Sequence, residues 1–150
     1  MNTKEYMKTA KKLMRRIKRK RDEADELRIK ERCPSSASFS DMPKTASPNP
    51  HLKYDSVLSA IELDKEADAA LDELNELKKQ FCVYIQQLID PDERDLLYKR
   101  YIEFKKWEQI AVEIGYSESH TKRLHGIAVK KLILCLLYTS DAADDLIGVD

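Results

Sequence analysis

Tyr6, Ala10, Leu13, Ile17, Lys20, Ala24 and Leu27 recur at alternating spacings of four and three residues, which keeps them on one side of a helix. The spacing predicts a long first helix with a coiled-coil-like seam, interrupted by a charge at Lys20. Pro34 disfavours helical geometry in the residue before it, and Ser35-Ser36-Ala37-Ser38 has no periodic apolar face, so this helix should end by Cys33. Residues 34–50 then read as a linker. A second seam runs through Leu63, Ala67, Ala70, Leu74, Leu77, Phe81, Tyr84 and Leu88 in the same four-three rhythm. Two helical arms are therefore expected, over residues 1–33 and 51–89. They are able to fold back as an antiparallel hairpin or to pair with another copy as a coiled coil, and the pattern leaves both open.

The pattern changes at residue 90. Asp90 suits an N-cap, Pro91 the first helical position, and Glu93 the partner position of a capping box. A helix should start near Pro91, with Leu96, Leu97 and Tyr101 on its apolar side and Arg94, Lys99 and Arg100 on its charged side. Trp107, Ile110, Ala111 and Ile114 mark a short helix closed by Gly115, whose access to positive φ suits a C-terminal cap. Ser117 is placed to cap a further helix in which Thr121, Leu124, Ala128 and Leu132 face inward. Residues 90–134 thus read as two helices joined by a tight turn after a supporting helix, a helix-turn-helix unit. Nothing in the pattern predicts a strand. The expected fold class is all-α.

Charge sharpens this division. Charged residues make up 36% of the chain, with only three Gly and five Pro, a composition of charged helices. The net charge is zero, yet residues 1–21 carry ten Lys/Arg and one acid, while residues 51–90 carry four basic and nine acidic residues. A basic arm and an acidic arm are thereby arranged to attract each other. Cys33, Cys82 and Cys135 have neither CxxC nor Cys/His spacing, so neither a disulfide framework nor a metal site is indicated. No Gly-rich phosphate loop, Ser/His/Asp pattern or Cys/His pair points to an enzyme, and no cofactor is called for. The acidic run from Glu62 to Glu76 lies between seam positions, where a solvated helix face is the simpler account than paired catalytic carboxylates. The longest apolar run, Leu132 to Tyr138, is too short to cross a bilayer, and the charged start lacks a signal core. An intracellular, cytoplasmic protein is expected.

The stretch from Pro91 to Leu132 resembles region 4 of bacterial sigma factors and their phage relatives. Pro91, Arg94, Leu97, Arg100 and Tyr101 carry the likeness, followed by Ile110-Ala111, Ile114-Gly115, Ser117, Leu124, Ala128 and Leu132. Residues 1 to about 134 also resemble ArpU-type late-gene regulators of phages and mobile elements, through the two arms, the Ser40-Asp41-Met42-Pro43 linker, and the ending from Trp107 to Gly126. The resemblance implies double-stranded DNA binding and transcriptional control in a bacterial host; RNA polymerase as a further partner, and a homodimer through the arms as one of the two outcomes their seams leave open, complete the expectation. Thr121 departs from the family pattern, which has an aliphatic residue there, and its hydroxyl is expected to cost packing. The tail, residues 135–150, does not share the likeness. Its run Cys135-Leu136-Leu137-Tyr138-Thr139-Ser140-Asp141-Ala142-Ala143-Asp144 resembles translated sequencing-adapter DNA, and the tail is set apart as non-native.

For reading DNA, a helix must offer side chains to base edges while flanking donors hold phosphates. Ser119, His120, Lys122 and Arg123 point away from the inward face of the last helix and are the base-edge candidates. Ser117, Lys105, Lys106 and Lys130 are candidates for phosphates. His120 and His125 are five apart, off ligand spacing, so a DNA contact for His120 and a structural or phosphate role for His125 are preferred to a metal. Trp107 is in phase with Ile110 and Ile114 and is expected in the core. The leading expectation is a sequence-specific DNA-binding regulator. The alternatives are a coiled-coil protein that docks on RNA polymerase without reading DNA, and a DNA-packaging protein like a terminase small subunit.

Overall fold

The computed structural model describes the backbone of residues 2–32 and 50–145 and the side chains of residues 2–32 and 54–137. Five helices follow in order, α1 (Thr3–Arg32), α2 (Pro50–Gln86), α3 (Pro91–Tyr101), α4 (Trp107–Ile114) and α5 (Glu118–Asp145). Among the described residues there is no strand, and the protein is all-α. None of its described helices is long and apolar enough to cross a membrane. The expected linker lies outside the described residues except for Pro50, which starts α2. The chain divides into two compact units, one formed by Thr9–Asn75 and the other by Met1–Lys8 with Glu76–Asp150.

In the Thr9–Asn75 unit most seam positions are buried as the spacing predicts: Ala10, Leu13, Ile17 and Ala24 of α1, and Ala67, Ala70 and Leu74 of α2; Leu27 and Leu63 are half-buried, and Ala60, just under a turn before Leu63, is buried as well. Polar contacts fix the direction of the pair. Lys20 meets Glu66 at 2.9 Å, Arg21 meets Asp68 at 3.5 Å, Arg28 bonds Asp64, and the Ser56 hydroxyl donates to Glu31. From Lys20 to Glu31 the partners run from Glu66 back to Ser56, so α1 and α2 lie antiparallel here, basic helix against acidic helix. Lys20 does not break the seam. Its side chain is only 21% exposed, because the aliphatic stem lies along the apolar stripe while the ammonium reaches Glu66.

The other unit is built around rings. Tyr6 stacks on Phe81 with centroids 4.1 Å apart, Phe81 leans on Tyr101 at 5.1 Å, and the Tyr6 hydroxyl donates to the Tyr101 carbonyl at 3.0 Å. Burial pushes the Tyr6 phenol well above its ordinary pKa and raises that of Tyr101, so both stay protonated near neutral pH. Around them α3, α4 and α5 pack mutually through Leu96, Leu97, Ile110, Ala111, Ala128 and Leu132. The second seam slips by one residue near its end: Ile85 is buried where the strict four-three rhythm places Tyr84, which is only half-buried. A helix of 3.6 residues per turn drifts by about 20° per heptad against that rhythm, and after several heptads the inward position moves on by one.

One further expectation changes. Asp90 caps α3, its carboxylate accepting the Asp92 amide at 2.9 Å, but Glu93 does not complete a capping box. Glu93 is 2% exposed and accepts from Lys131 of α5 instead, tying the start of α3 to α5. The last helix, for which the sequence set no end, runs as α5 to Asp145, so the boundary drawn at residue 135 falls inside it. Residues 146–150 lie outside the described residues.

Candidate nucleic-acid interface

The turn between α4 and α5 is held at both ends. Gly115 takes φ 82°, a conformation that side chains with a Cβ rarely adopt, and its amide and that of Tyr116 both donate to the Ala111 carbonyl at 3.0 Å. The Tyr116 hydroxyl donates to Asp92 at 2.9 Å, which pins the turn to the first turn of α3, and this bond holds the phenol above its usual pKa. Ser117 then caps α5, its hydroxyl accepting the His120 amide at 3.2 Å. The sequence signals for Gly115 and Ser117 are local and were legible; nothing in the sequence tied Tyr116 to Asp92, 24 positions away.

The start of α5 is thereby fixed in orientation. Thr121, Ala128 and Leu132 are wholly buried on its inner side. The Thr121 hydroxyl donates to the Ser117 carbonyl at 2.9 Å, so the polar atom that was expected to cost packing is satisfied within its own helix. Opposite them Ser119, His120, Lys122 and Arg123 are all exposed on the first two turns, and Lys130 is exposed further along. Lys122 pairs with Glu118 at 2.5 Å, and the His120 ring meets Tyr116 edge-on at 4.7 Å. Arg123 and Lys130 have no ion-pair partner among the described residues. On the same outer side Gly126 has open space where a Cβ would sit, so no packing within the chain requires a glycine there.

The two lysines before α4 differ. Lys106 is exposed at the N-cap of α4, its amide donating to the Gln109 side chain at 3.3 Å. Lys105 instead lies between carboxylates, 2.8 Å from Glu113 and 2.9 Å from Glu103, while Lys99 reaches the same Glu113 at 2.7 Å. Hydrogen bonds from Lys105 and then Lys99 hold the Glu113 carboxyl below its usual range, and those bonds hold both lysines above theirs. Lys105 is thus held in a surface cluster of ion pairs, where Glu103 and Glu113 share its charge.

His125 sits behind the exposed row. Tyr101 and Trp107 enclose it, with the Tyr101 hydroxyl 2.9 Å from Nε2, its ring stacked on Tyr101 at 5.7 Å and edge-on to Trp107 at 4.9 Å. Arg100 lies over the Trp107 ring, its guanidinium 4.4 Å from the centroid, and also donates to the Lys105 carbonyl at 2.9 Å. Trp107 is half-buried between these neighbours, a shoulder of the core as well as part of it. Burial, and next the Arg100 charge, push the His125 ring below its ordinary pKa and favour the neutral imidazole. Among the described residues no group of three His, Cys, Asp or Glu side chains converges at ligand spacing.

Comparison of the chain with family models, with curated proteins and with solved structures finds no match.

Proposed function

We propose that the chain is a sequence-specific double-stranded DNA-binding regulator of transcription, with α4 and α5 forming a helix-turn-helix and α5 as its recognition helix. One observation carries this reading: a row of exposed donors, Ser119, His120, Lys122 and Arg123, on the first two turns of a helix whose start is fixed by the Gly115 turn and the Ser117 cap, with the opposite side buried. Base edges in the major groove are read from such a position, and a guanine offers two acceptors that a guanidinium fits with two bonds. The resemblance to sigma region 4 and to phage late-gene regulators supports the reading, and in this account the protein acts at promoters together with RNA polymerase. Lys106, Lys130 and the amides at the Ser117 cap are the phosphate donors in this account.

Selection of bound duplexes from a random pool tests it. The parent should enrich a defined site, and Arg123→Ala should cost ~1–3 kcal/mol on that site while relaxing preference at one position. Equal binding of the parent to selected and scrambled duplexes, unchanged by Arg123→Ala, would end the reading and favour docking on another protein.

A further inference from the structure

We infer that the outward side of α1 between Lys11 and Arg19 is a second duplex contact, one that grips phosphates without reading bases. It rests on the duplex-binding reading and adds to it a surface that lies outside the α4–α5 module. Within the Thr9–Asn75 unit the two parts of α1 treat their charges differently. From Lys20 onward the cations are answered by α2: Lys20 by Glu66, Arg21 by Asp68 and Arg28 by Asp64. Before that point only Arg16, on the flank toward α2, is near enough to act on Glu66, and the outward cations are not answered. Lys11, Lys12, Arg15 and Lys18 are exposed and have no ion-pair partner among the described residues, and Arg19 has only Glu23 of its own helix, at 3.9 Å. The Arg15 side chain donates to the Lys11 carbonyl, which holds it along the helix without neutralising it.

The placement of these five follows from the helix itself. At 100° per residue they spread over about 120°, centred opposite the seam of Ala10, Leu13 and Ile17, and they span roughly 12 Å of helix length at 1.5 Å per residue. One cation every two to three ångströms approaches the linear charge density of duplex DNA, about one charge per 1.7 Å. No acid lies between Tyr6 and Arg21 in the sequence to offset them. A groove of about 520 Å³ opens beside them, lined by Lys12, Leu13, Arg15, Arg16 and Arg19 with Glu73 of α2 as its single acid. Other polyanions fit less well. An interfacial membrane helix needs a free apolar side, and that of α1 is already buried. A protein partner is gripped by aromatic and apolar anchors, of which this side offers only Met14 at its margin.

The experiment replaces Lys11, Lys12, Arg15, Lys18 and Arg19 together by Gln in the full chain. Affinity for the selected site and for a random-sequence duplex is then measured between about 50 and 200 mM salt. With about three phosphates lost, the slope of log K against log salt should fall by about two to three on both duplexes, and affinity for the random duplex by roughly 10- to 100-fold at the lower salt. A variant that exchanges Lys for Arg and Arg for Lys at the same five positions should keep the parent's slope, which separates charge from helix packing. An unchanged slope in the Gln variant overturns the inference and leaves the recognition helix untouched. If the parent shows no site preference but its slope still depends on these five residues, the recognition reading fails and this surface stands. Tighter binding of the parent to anionic vesicles than to duplex overturns it as well.

Discussion

The interior of the Thr9–Asn75 unit is made of small side chains, and the interior of the unit around α3, α4 and α5 is made of rings. Five alanines, Ala10, Ala24, Ala60, Ala67 and Ala70, are buried in the first, with Leu13, Ile17 and Leu74 as its larger members. In the second, Tyr6, Phe81, Tyr101, Trp107 and His125 form a continuous chain of ring contacts. Small residues let two helices approach closely but bury little apolar area per residue, so direction and register there depend on the polar pairs at the rim. Rings bury far more area each and add geometric preference, and their hydroxyls must find acceptors when they are buried. One unit is specified by close approach and charge, the other by bulk and directed hydrogen bonds. The candidate base-reading row sits on the second, which is the one whose parts are held at defined angles.

The largest expected effect tests the ring interior. Phe81→Ala removes the ring that touches both Tyr6 and Tyr101 and should cost ~3–5 kcal/mol by loss of burial and the cavity left behind. Urea denaturation followed by ring fluorescence reads it, and a cost below about 1 kcal/mol would show that the rings are interchangeable filling. The opposite change tests the other unit. Ala67→Leu adds bulk where the side chain is wholly buried and should cost ~1–3 kcal/mol by forcing the helices apart. Amide hydrogen exchange should show lost protection within residues 9–32 and 54–75. If Ala67→Leu stabilises the protein instead, the spacing of the two helices is not set by the small residues.

The two interiors also differ in how far they could be foreseen. The alanine seam was legible because burial there follows one period on one helix, with Lys20 as its one irregular position. The partner of that lysine, Glu66, is 46 positions away and belongs to the other arm, so the pattern showed a fault where the fold has an ion pair. The helix boundaries of the ring unit were legible from local signals at Asp90, Pro91, Gly115 and Ser117. What joins its helices was not: Tyr6 to Phe81, Tyr101 to His125, Tyr116 to Asp92 and Glu93 to Lys131 are long-range pairs with no periodic trace. Glu93 shows the cost of reading only locally, since a box partner and a buried helix-joining carboxylate have the same sequence signature. The candidate base-edge residues were legible as the outer face of α5, whereas the capture of Lys105 by Glu113 required two helices to be in place.

The smallest expected effect asks whether the ring unit alone responds to pH near neutrality. Its interior holds a titratable ring, His125, faced by the Tyr101 hydroxyl, the Trp107 ring and the charge of Arg100, with no carboxylate bonded to it among the described residues. Burial first and Arg100 second lower its pKa from the ordinary 6.5. As pH falls through 6.5 the unfolded chain takes up a proton that the folded chain does not yet bind, so folding loses stability from there down to the lowered value. Well above 6.5 both states are neutral and the contribution is complete. Between about pH 7.5 and pH 5.5 the parent's urea midpoint should therefore decline, before the carboxylates begin to titrate. His125→Gln keeps an acceptor for the Tyr101 hydroxyl but cannot take up a proton, so its midpoint, lower at the upper pH through lost packing, should decline less over the same interval. Hydrogen exchange assigns the change: protection of amides in α3 and α5 should follow pH in the parent, and that of residues 9–32 should not. Parallel declines in parent and variant would mean that His125 is protonated in the fold as readily as outside it, and that the contrast between a charge-specified and a ring-specified unit does not extend to their response to protons.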